Sequence, residues 1–463
     1  MYSKEFMNRK DDYDFKITSF SLGDLNFKKR YNLKYAYLAG AMYRGISSEE
    51  MVIKLGKSGI MCSYGAGGLS LENIENAIRI IRQELSNNQP YSINLLHNPM
   101  NPEREKKKID LLIKYDVAVV DAAGFIDISL PLIKYRAQGL RRGHDGGICI
   151  KNRIIGKISR PEVAEAFLSP APAKLIAKLL EQAEISREQA ELLREIPVAD
   201  DICVEADSGG HTDAGSPYSL MPAIITLRNK IMVKYRYNEK IHVGAAGGIG
   251  TPEAAAAAFI LGADFICTGS INQCTIQAKT SDIVKDMLQQ INVQDTDYAP
   301  SGDMFELGAK IQVVKKGLLF PSRAKKLFDL YQRHNSLEEI DSKIKNQLQK
   351  RYFKKSFDEI LNDMTQRQSS DQKEKILKNP KQKMSLIFKW YFDYTTKIAL
   401  AGTKGQEIDY QINCGPSLGA FNQWVKGTEF EDWRNRHVDE IGIKLMEETA
   451  GLLKERFYLM MDK

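Results

Sequence analysis

The chain has 463 residues, 43% hydrophobic and 27% charged, which excludes an intrinsically disordered protein and allows a large buried core. Its net charge of +7, from 66 basic and 59 acidic residues, is too mild to imply a nucleic-acid partner. No apolar run reaches the length of a membrane span, and Met1 to Asp14 lacks the apolar core of a secretion signal, so a cytoplasmic protein without membrane association is expected.

At roughly 150 residues per domain the length fits two or three domains, or one elaborated barrel. Residues 1–34 read as a peripheral lead-in. Eight apolar runs follow, each with a helical pattern behind it. The first is Tyr35 to Met42, with a helix opening at Ser47-Ser48-Glu49-Glu50. The next are Ile60 to Gly65, Tyr91 to Leu96 and Val117 to Asp121, the last preceded by a basic amphipathic helix near 102–115. The fifth is Arg153 to Ser159, with an inserted hairpin at 136–153 ahead of it. Three more begin at Ile202, Ile241 and Phe265. Alternation of strand and helix means parallel strands joined by right-handed crossovers, and eight of them predict a (β/α)₈ TIM barrel over 35–274.

The last three runs end alike. Val204-Glu205-Ala206 passes into Asp207-Ser208-Gly209-Gly210-His211, the next run into Gly247-Gly248-Ile249-Gly250, and the last into Thr268-Gly269-Ser270. Glycine at a strand end lets bare backbone approach a ligand, and backbone N–H groups there suit a phosphate. Gly209, Gly210, Gly247, Gly248, Gly269 and Ser270 are therefore the expected phosphate cradle. Gly65, Gly67 and Gly68 lack the following Lys-Ser/Thr of a P-loop and read as a turn. The six cysteines, Cys62, Cys149, Cys203, Cys267, Cys274 and Cys414, form no CxxC pair, so neither a disulfide framework nor a metal site is expected.

Beyond Ser270 the chain turns helical, basic and aromatic. Residues 275–410 read as a helical lid placed after strand eight, with a loop at Ala299 to Asp303, a helix from Pro321 and a solvated face over 336–383. Residues 411–463 read as a helical segment that packs back on the barrel, its helix near 430–456. The lid's basic residues (Lys310, Lys315, Lys316, Arg323, Lys325, Lys326) are expected on a rim. Its apolar ones (Phe305, Leu318, Leu319, Phe320, Leu327, Phe328, Tyr331) are expected along a substrate tunnel.

The string Glu205 to His211 resembles the ExGGH signature of the 2-nitropropane dioxygenase-like flavoproteins. Longer strings narrow the resemblance: 39–47, 157–164, 197–213, 243–259, 262–274, 302–313 and 409–428 are together similar to the PfaD family. These are trans-acting enoyl reductases of polyunsaturated fatty acid synthases and trans-acyltransferase polyketide synthases. Some members are fused to an acyltransferase; a freestanding chain is expected at this length.

The resemblance implies FMN as cofactor, NADPH or NADH as hydride source, and an acyl carrier protein as partner; a homodimer is left open. Ala41 and Met42 would underlie the flavin edge, and Asn94 would meet its pyrimidine or ribityl part. Lys157 would place positive charge near the flavin, or else pair with Asp121. His211 is the candidate proton donor, since histidine titrates near neutrality. His97, His144, His242, His334 and His437 read as structural or surface residues. Two other functions compete: a nitronate monooxygenase with His211 as base, and a non-catalytic docking subunit that keeps the fold.

Overall fold

The structure is a computed structural model that describes residues 16–98, 101–366, 374 and 376–461. The signal-peptide reading of residues 1–14 and part of the 336–383 segment therefore lie outside the described residues. Eight parallel strands close into a TIM barrel in chain order, the last against the first. They are β1 (Tyr37–Ala39), β2 (Met61–Tyr64), β3 (Ser92–Leu96), β4 (Val119–Ala123), β5 (Arg153–Ile158), β6 (Asp201–Glu205), β7 (His242–Ala246) and β8 (Phe265–Thr268). Closure aligns Ala39 with Thr268 and Ala246 with Cys267, so the Gly-rich ends of β6, β7 and β8 lie side by side. The expected hairpin is present, with Arg141–Arg142 antiparallel to Ile148–Cys149.

Local chemistry sets the crossovers. Ser48, Ser70 and Thr251 each accept a backbone N–H at the start of a helix. That satisfies donors which the first turn would otherwise leave unpaired.

The lead-in is not peripheral. The helix Leu25–Arg30 puts the fully buried Phe27 into the lower end of the barrel, stacked on Phe265 at 4.0 Å. Gly244 on β7 makes room, because a Cβ there would lie 2.2 Å from the Phe265 ring. A barrel interior has to be filled by side chains, and its own strands leave this end open to Phe27.

Residues after β8 carry more strand than expected. β9 (Thr296–Pro300) and β10 (Lys310–Val314) form an antiparallel hairpin, so Ala299 and Pro300 belong to a strand and only Ser301 onward is loop. β10 also pairs with the short strand His211–Thr212, which ties the insertion to the barrel mouth. Paired burial of Ile311 and Val313 drives this, while the polar Gln312 between them is buried too and hides the alternation. Helices Phe320–Arg333, Phe357–Thr365 and Pro380–Ala401 then build a separate core around Phe305, Phe320, Phe353, Phe388 and Tyr391.

The chain finally returns to the barrel. Helix Val438–Met461 packs between Pro252–Ile260 and Glu49–Lys57 and completes the outer ring. It starts later than the expected 430, because two short 3₁₀ turns occupy 429–435. Among the described residues no helix is long and apolar enough to cross a membrane.

Candidate active site

A cavity of about 500 Å³ opens at the C-terminal ends of the strands, between the barrel mouth and the insertion. Ala41, Met42, Asn94, Lys157, Gly209, Gly210, His211, Gly247, Gly248, Gly269 and Ser270 all line it. The sequence separates these residues by more than two hundred positions; barrel closure brings them together.

One wall is bare backbone. Gly247 and Gly248 both have positive φ, +87° and +73°. A Cβ on Gly247 would sit 2.6 Å from the Asp207 carbonyl oxygen, so only glycine fits there. A Cβ on Gly210, Gly248 or Gly269 would meet nothing within 4 Å, so these three backbones face open space. Ser270 Oγ accepts from the Gly415 N–H at 3.0 Å, which brings the C-terminal segment into the same cradle. Gly65, by contrast, lies under the Met42 carbonyl with no room for a Cβ, as a turn that supports the β1 loop.

The floor is charged. Lys157 Nζ lies 2.9 Å from Glu205 Oε1 and 4.0 Å from Asp121 Oδ2. Burial disfavours the ammonium, but Glu205 and Asp121 outweigh it and hold the lysine well above its ordinary pKa. Burial pushes the Asp121 carboxyl up, and Lys157 only partly offsets that. Lys157 thus lines the cavity and forms an ion pair, with Glu205 closer than the expected partner Asp121. Asn94 donates Nδ2–H to the Asp121 carbonyl at 3.2 Å, which fixes its amide at the strand end.

His211 stands at the lip, 2.8 Å through Nε2 from both Asp303 Oδ1 and Ser301 Oγ. Burial lowers its pKa, and the hydrogen bond and charge of Asp303 raise it more, for a net upward shift. The Asp303 carboxyl is pulled down to about 2 by His211, against the opposing effect of burial. The other histidines lie elsewhere. His97 pairs with Glu105 at 2.7 Å, and His242 pairs with Asp201 at 2.6 Å at the lower end of the barrel.

With this geometry in place the chain can be compared with known proteins. It is 51% identical to the enoyl reductase domain of MlnA, from the macrolactin biosynthesis cluster of Bacillus amyloliquefaciens. The two structures agree with a TM-score of 0.93 over 95% of this chain and 99% of that one. The chain belongs to the PfaD family of enoyl reductases. Over 96% of its length it is 59% identical to polyketide biosynthesis protein PksE of Bacillus subtilis, of which it spans 58%. Over 88% of its length it is 42% identical to a polyunsaturated fatty acid synthase polypeptide of Thraustochytrium sp., of which it spans 28%. The chain thus covers little more than half, or less, of these curated relatives. Residues 334–410 match a family model described as acyl-carrier-protein S-malonyltransferase, inserted helical domain.

Several site residues of this family member are not marked as such by the sequence, although Asp303 lies within the 302–313 string. Asp303 reaches His211 from a loop 92 positions away. Phe392 and Met364 line the cavity from the insertion's helices, and Arg44, on the β1 loop, pairs with Asp393 across the cavity rim. Only Gly415 could have been found, as the glycine of a Cys-Gly-Pro-Ser turn. The tunnel expectation needs correction. Phe305, Phe320 and Leu327 are buried in the insertion's own core, with Phe328 and Tyr331 packed against it; Leu318 is buried too, and Leu319 is exposed. Helix Phe320–Arg333 turns its apolar face inward, and the cavity receives Phe392 and Met364 instead. Arg323 is not on a rim either: it is ion-paired with Asp409 and lies 4.8 Å above the Tyr352 ring.

Proposed function

We propose that the protein is a trans-acting enoyl reductase that uses FMN and NAD(P)H to reduce the α,β-double bond of an enoyl thioester carried by an acyl carrier protein. One observation supports this above the others: three glycine loops, a buried lysine and a carboxylate-held histidine converge on one cavity of about 500 Å³. Bound FMN would carry hydride from NAD(P)H to the β-carbon. The open backbone at Gly210, Gly248 and Gly269 suits its phosphate, since a side chain at any of them would enter the space the phosphate needs.

The chain's own residues supply the rest. Lys157 keeps a fixed positive charge at the floor, where negative charge would otherwise be poorly stabilised. Asn94 offers its side-chain carbonyl to the ligand while its N–H₂ holds the barrel. His211 keeps Nε2–H on Asp303, which leaves Nδ1–H to donate to the substrate at Cα or at the thioester oxygen. Residues 275–410 act as a lid, with Phe392 and Met364 excluding water from the acyl chain. Lys315, Lys316, Lys325 and Lys326 form a basic rim for an acidic carrier.

Colour and oxidant test the reading. The purified protein is expected to be yellow and to oxidise NADPH only with a crotonyl-type thioester present. Oxygen uptake with a nitronate, or a colourless protein that binds a synthase and turns nothing over, would replace it.

A further inference from the structure

His211 and Asp303 come from different parts of the molecule. His211 follows β6 of the barrel, and Asp303 lies on the connection between β9 and β10 of the insertion. Two separate contacts bring them together. β10 runs antiparallel to His211–Thr212, with Ile311 opposite His211. The Asp303 carboxylate then accepts the Nε2–H at 2.8 Å, and Oδ1 also accepts from the Ser301 hydroxyl and from Met304 N–H at 3.1 Å. The aspartate is thus aimed by its own loop before it meets the ring.

We propose that Asp303 is the positioning residue for the proton donor: it fixes the His211 ring by Nε2 and favours its cationic form, so the donor is complete only when the insertion is seated on the barrel. This rests on the enoyl-reductase reading above. An imidazole with a carboxylate on one nitrogen has a defined tautomer and orientation, with its other nitrogen free for chemistry.

The other carboxylates near His211 are already engaged, though Glu205 also raises its pKa through space. Glu205 at the end of β6 is held by Lys157 at 2.9 Å. Asp207 accepts from Thr212 Oγ1 at 2.8 Å and from Gln312 Nε2 at 2.6 Å, and Asp213 pairs with Arg160 at 2.7 Å. Lys389, from helix Pro380–Ala401, is held by Glu306 at 2.9 Å, and Lys310 stands across from Thr212, one residue along. Asp303 is the charged group bonded to the ring, and its effect agrees in sign with the upward pKa shift of His211.

Asp303→Asn keeps the shape and a hydrogen-bonding oxygen but removes the charge; Asp303→Glu restores it; Ser301→Ala removes the neighbouring hydroxyl alone. In the flavin-loaded protein, the histidine NMR signal that His211→Ala deletes is followed against pH. Stopped flow follows the NAD(P)H and enoyl half-reactions separately. In Asp303→Asn the His211 titration should move to lower pH, and the alkaline fall of the enoyl half-reaction should move down with it. Above neutral pH that half-reaction should slow by roughly ten- to 10⁴-fold, the range seen when a carboxylate that orients a histidine is removed. Asp303→Glu should recover part of both effects. Ser301→Ala, which removes one hydrogen bond to the ring and to the carboxylate but leaves the charge, should shift both far less than Asp303→Asn does, and the NAD(P)H half-reaction should show no shift. A wild-type protein with no enoyl half-reaction overturns the functional reading. With that reaction present, an unmoved His211 titration in Asp303→Asn, or an equal loss in both half-reactions, overturns the Asp303 proposal alone.

Discussion

The two walls of the cavity are made of different material. Where the glycine loops meet, the barrel wall is backbone: a side chain at Gly210, Gly248 or Gly269 would stand in open space. The insertion wall is side chain: Asp303, Phe392, Met364 and Lys389 reach in from a loop and two helices. A backbone cradle recognises a group through donors that every residue owns, so its identity depends on shape and on the exclusion of Cβ atoms. A side-chain wall recognises through size and charge and can be altered without disturbing the strands. On the proposed reading the barrel wall would hold the cofactor, and the insertion wall would meet the acyl group.

Neighbouring glycines give the largest test of that contrast. Gly248→Asp puts a carboxylate into the open space of the cradle, where it opposes a phosphate in both bulk and charge. The φ of +73° costs about 1–2 kcal/mol for a residue with a Cβ, small beside the several kcal/mol of a folded domain. The variant should purify folded and colourless, which absorbance and a thermal melt would show. Gly247→Ala should fail differently, by forcing its Cβ against the Asp207 carbonyl 2.6 Å away, so that the protein is destabilised before binding is affected. A Gly248→Asp protein that stays fully yellow places the phosphate elsewhere.

His211 belongs to both walls, since its backbone is barrel and its partner is insertion. His211→Ala should slow the enoyl half-reaction by roughly 10²–10⁴-fold, the usual contribution of a positioned acid. The NAD(P)H half-reaction should keep its rate. Equal slowing of both would move His211 from the donor role to the flavin-holding role.

Legibility in the sequence follows the same division. The barrel announces itself because each strand is a contiguous apolar run, and because a strand end that meets a ligand switches abruptly to glycine. All eight runs and the histidine after Gly209-Gly210 can be read that way. The insertion hides its architecture. β10 has a buried Gln312 between Ile311 and Val313, so the alternation expected of a strand is broken. Phe320 and Leu327 look as suited to a tunnel as to a core, and only the packing of three helices sends them inward. Phe27 lies in a polar lead-in, and its role exists only because the Phe265 ring, which Gly244 leaves room for, offers it a face to stack on. Asp303 is one acidic residue among 59 Asp and Glu; the 302–313 string marks its segment but not its partner, and pairing across 92 positions is a tertiary fact.

The walls should also differ in their response to pH. Lys157 is held well above its ordinary pKa by Glu205 and Asp121 against the effect of burial, so the barrel floor stays charged through neutral and moderately alkaline conditions. The His211–Asp303 contact does titrate. His211 is raised on folding, so its contribution is full below an ordinary histidine pKa of about 6.5 and is lost as pH rises through the raised value. Asp303 is lowered to about 2, so its contribution is present above an ordinary aspartate pKa of about 3.9 and is lost as pH falls through about 2. Anchorage of the insertion loop should therefore be firmest from mildly acidic to neutral pH. Hydrogen exchange, corrected for intrinsic rates, should rise at 301–304 above neutrality and stay constant along β6 to β8. The side chains are 38% and 49% exposed, so the effect is modest. Uniform loosening of both regions would mean that the contact does not anchor the insertion.

The smallest effect concerns the outer face of the insertion, where a carrier would dock. Two of the four rim lysines are already partnered: Lys325 with Asp297 at 2.7 Å and Lys316 with Asp295 at 3.5 Å. Exposed pairs of this kind contribute roughly 0–1 kcal/mol each, so the rim attracts an acidic partner mainly through its summed field. Reversing Lys315, Lys316, Lys325 and Lys326 to Glu inverts that field and sets new carboxylates beside Asp295 and Asp297. KM for a carrier-bound enoyl substrate should rise and its salt dependence should weaken, because the steering charge is gone. The cavity wall is untouched, since the insertion contributes Phe392 and Met364 to it and none of these lysines. A short free enoyl thioester, such as an N-acetylcysteamine ester, should then be reduced as before. If both substrates respond alike, the four substitutions have disturbed the insertion's fold; if neither responds, these lysines face only water and the carrier approaches from another side.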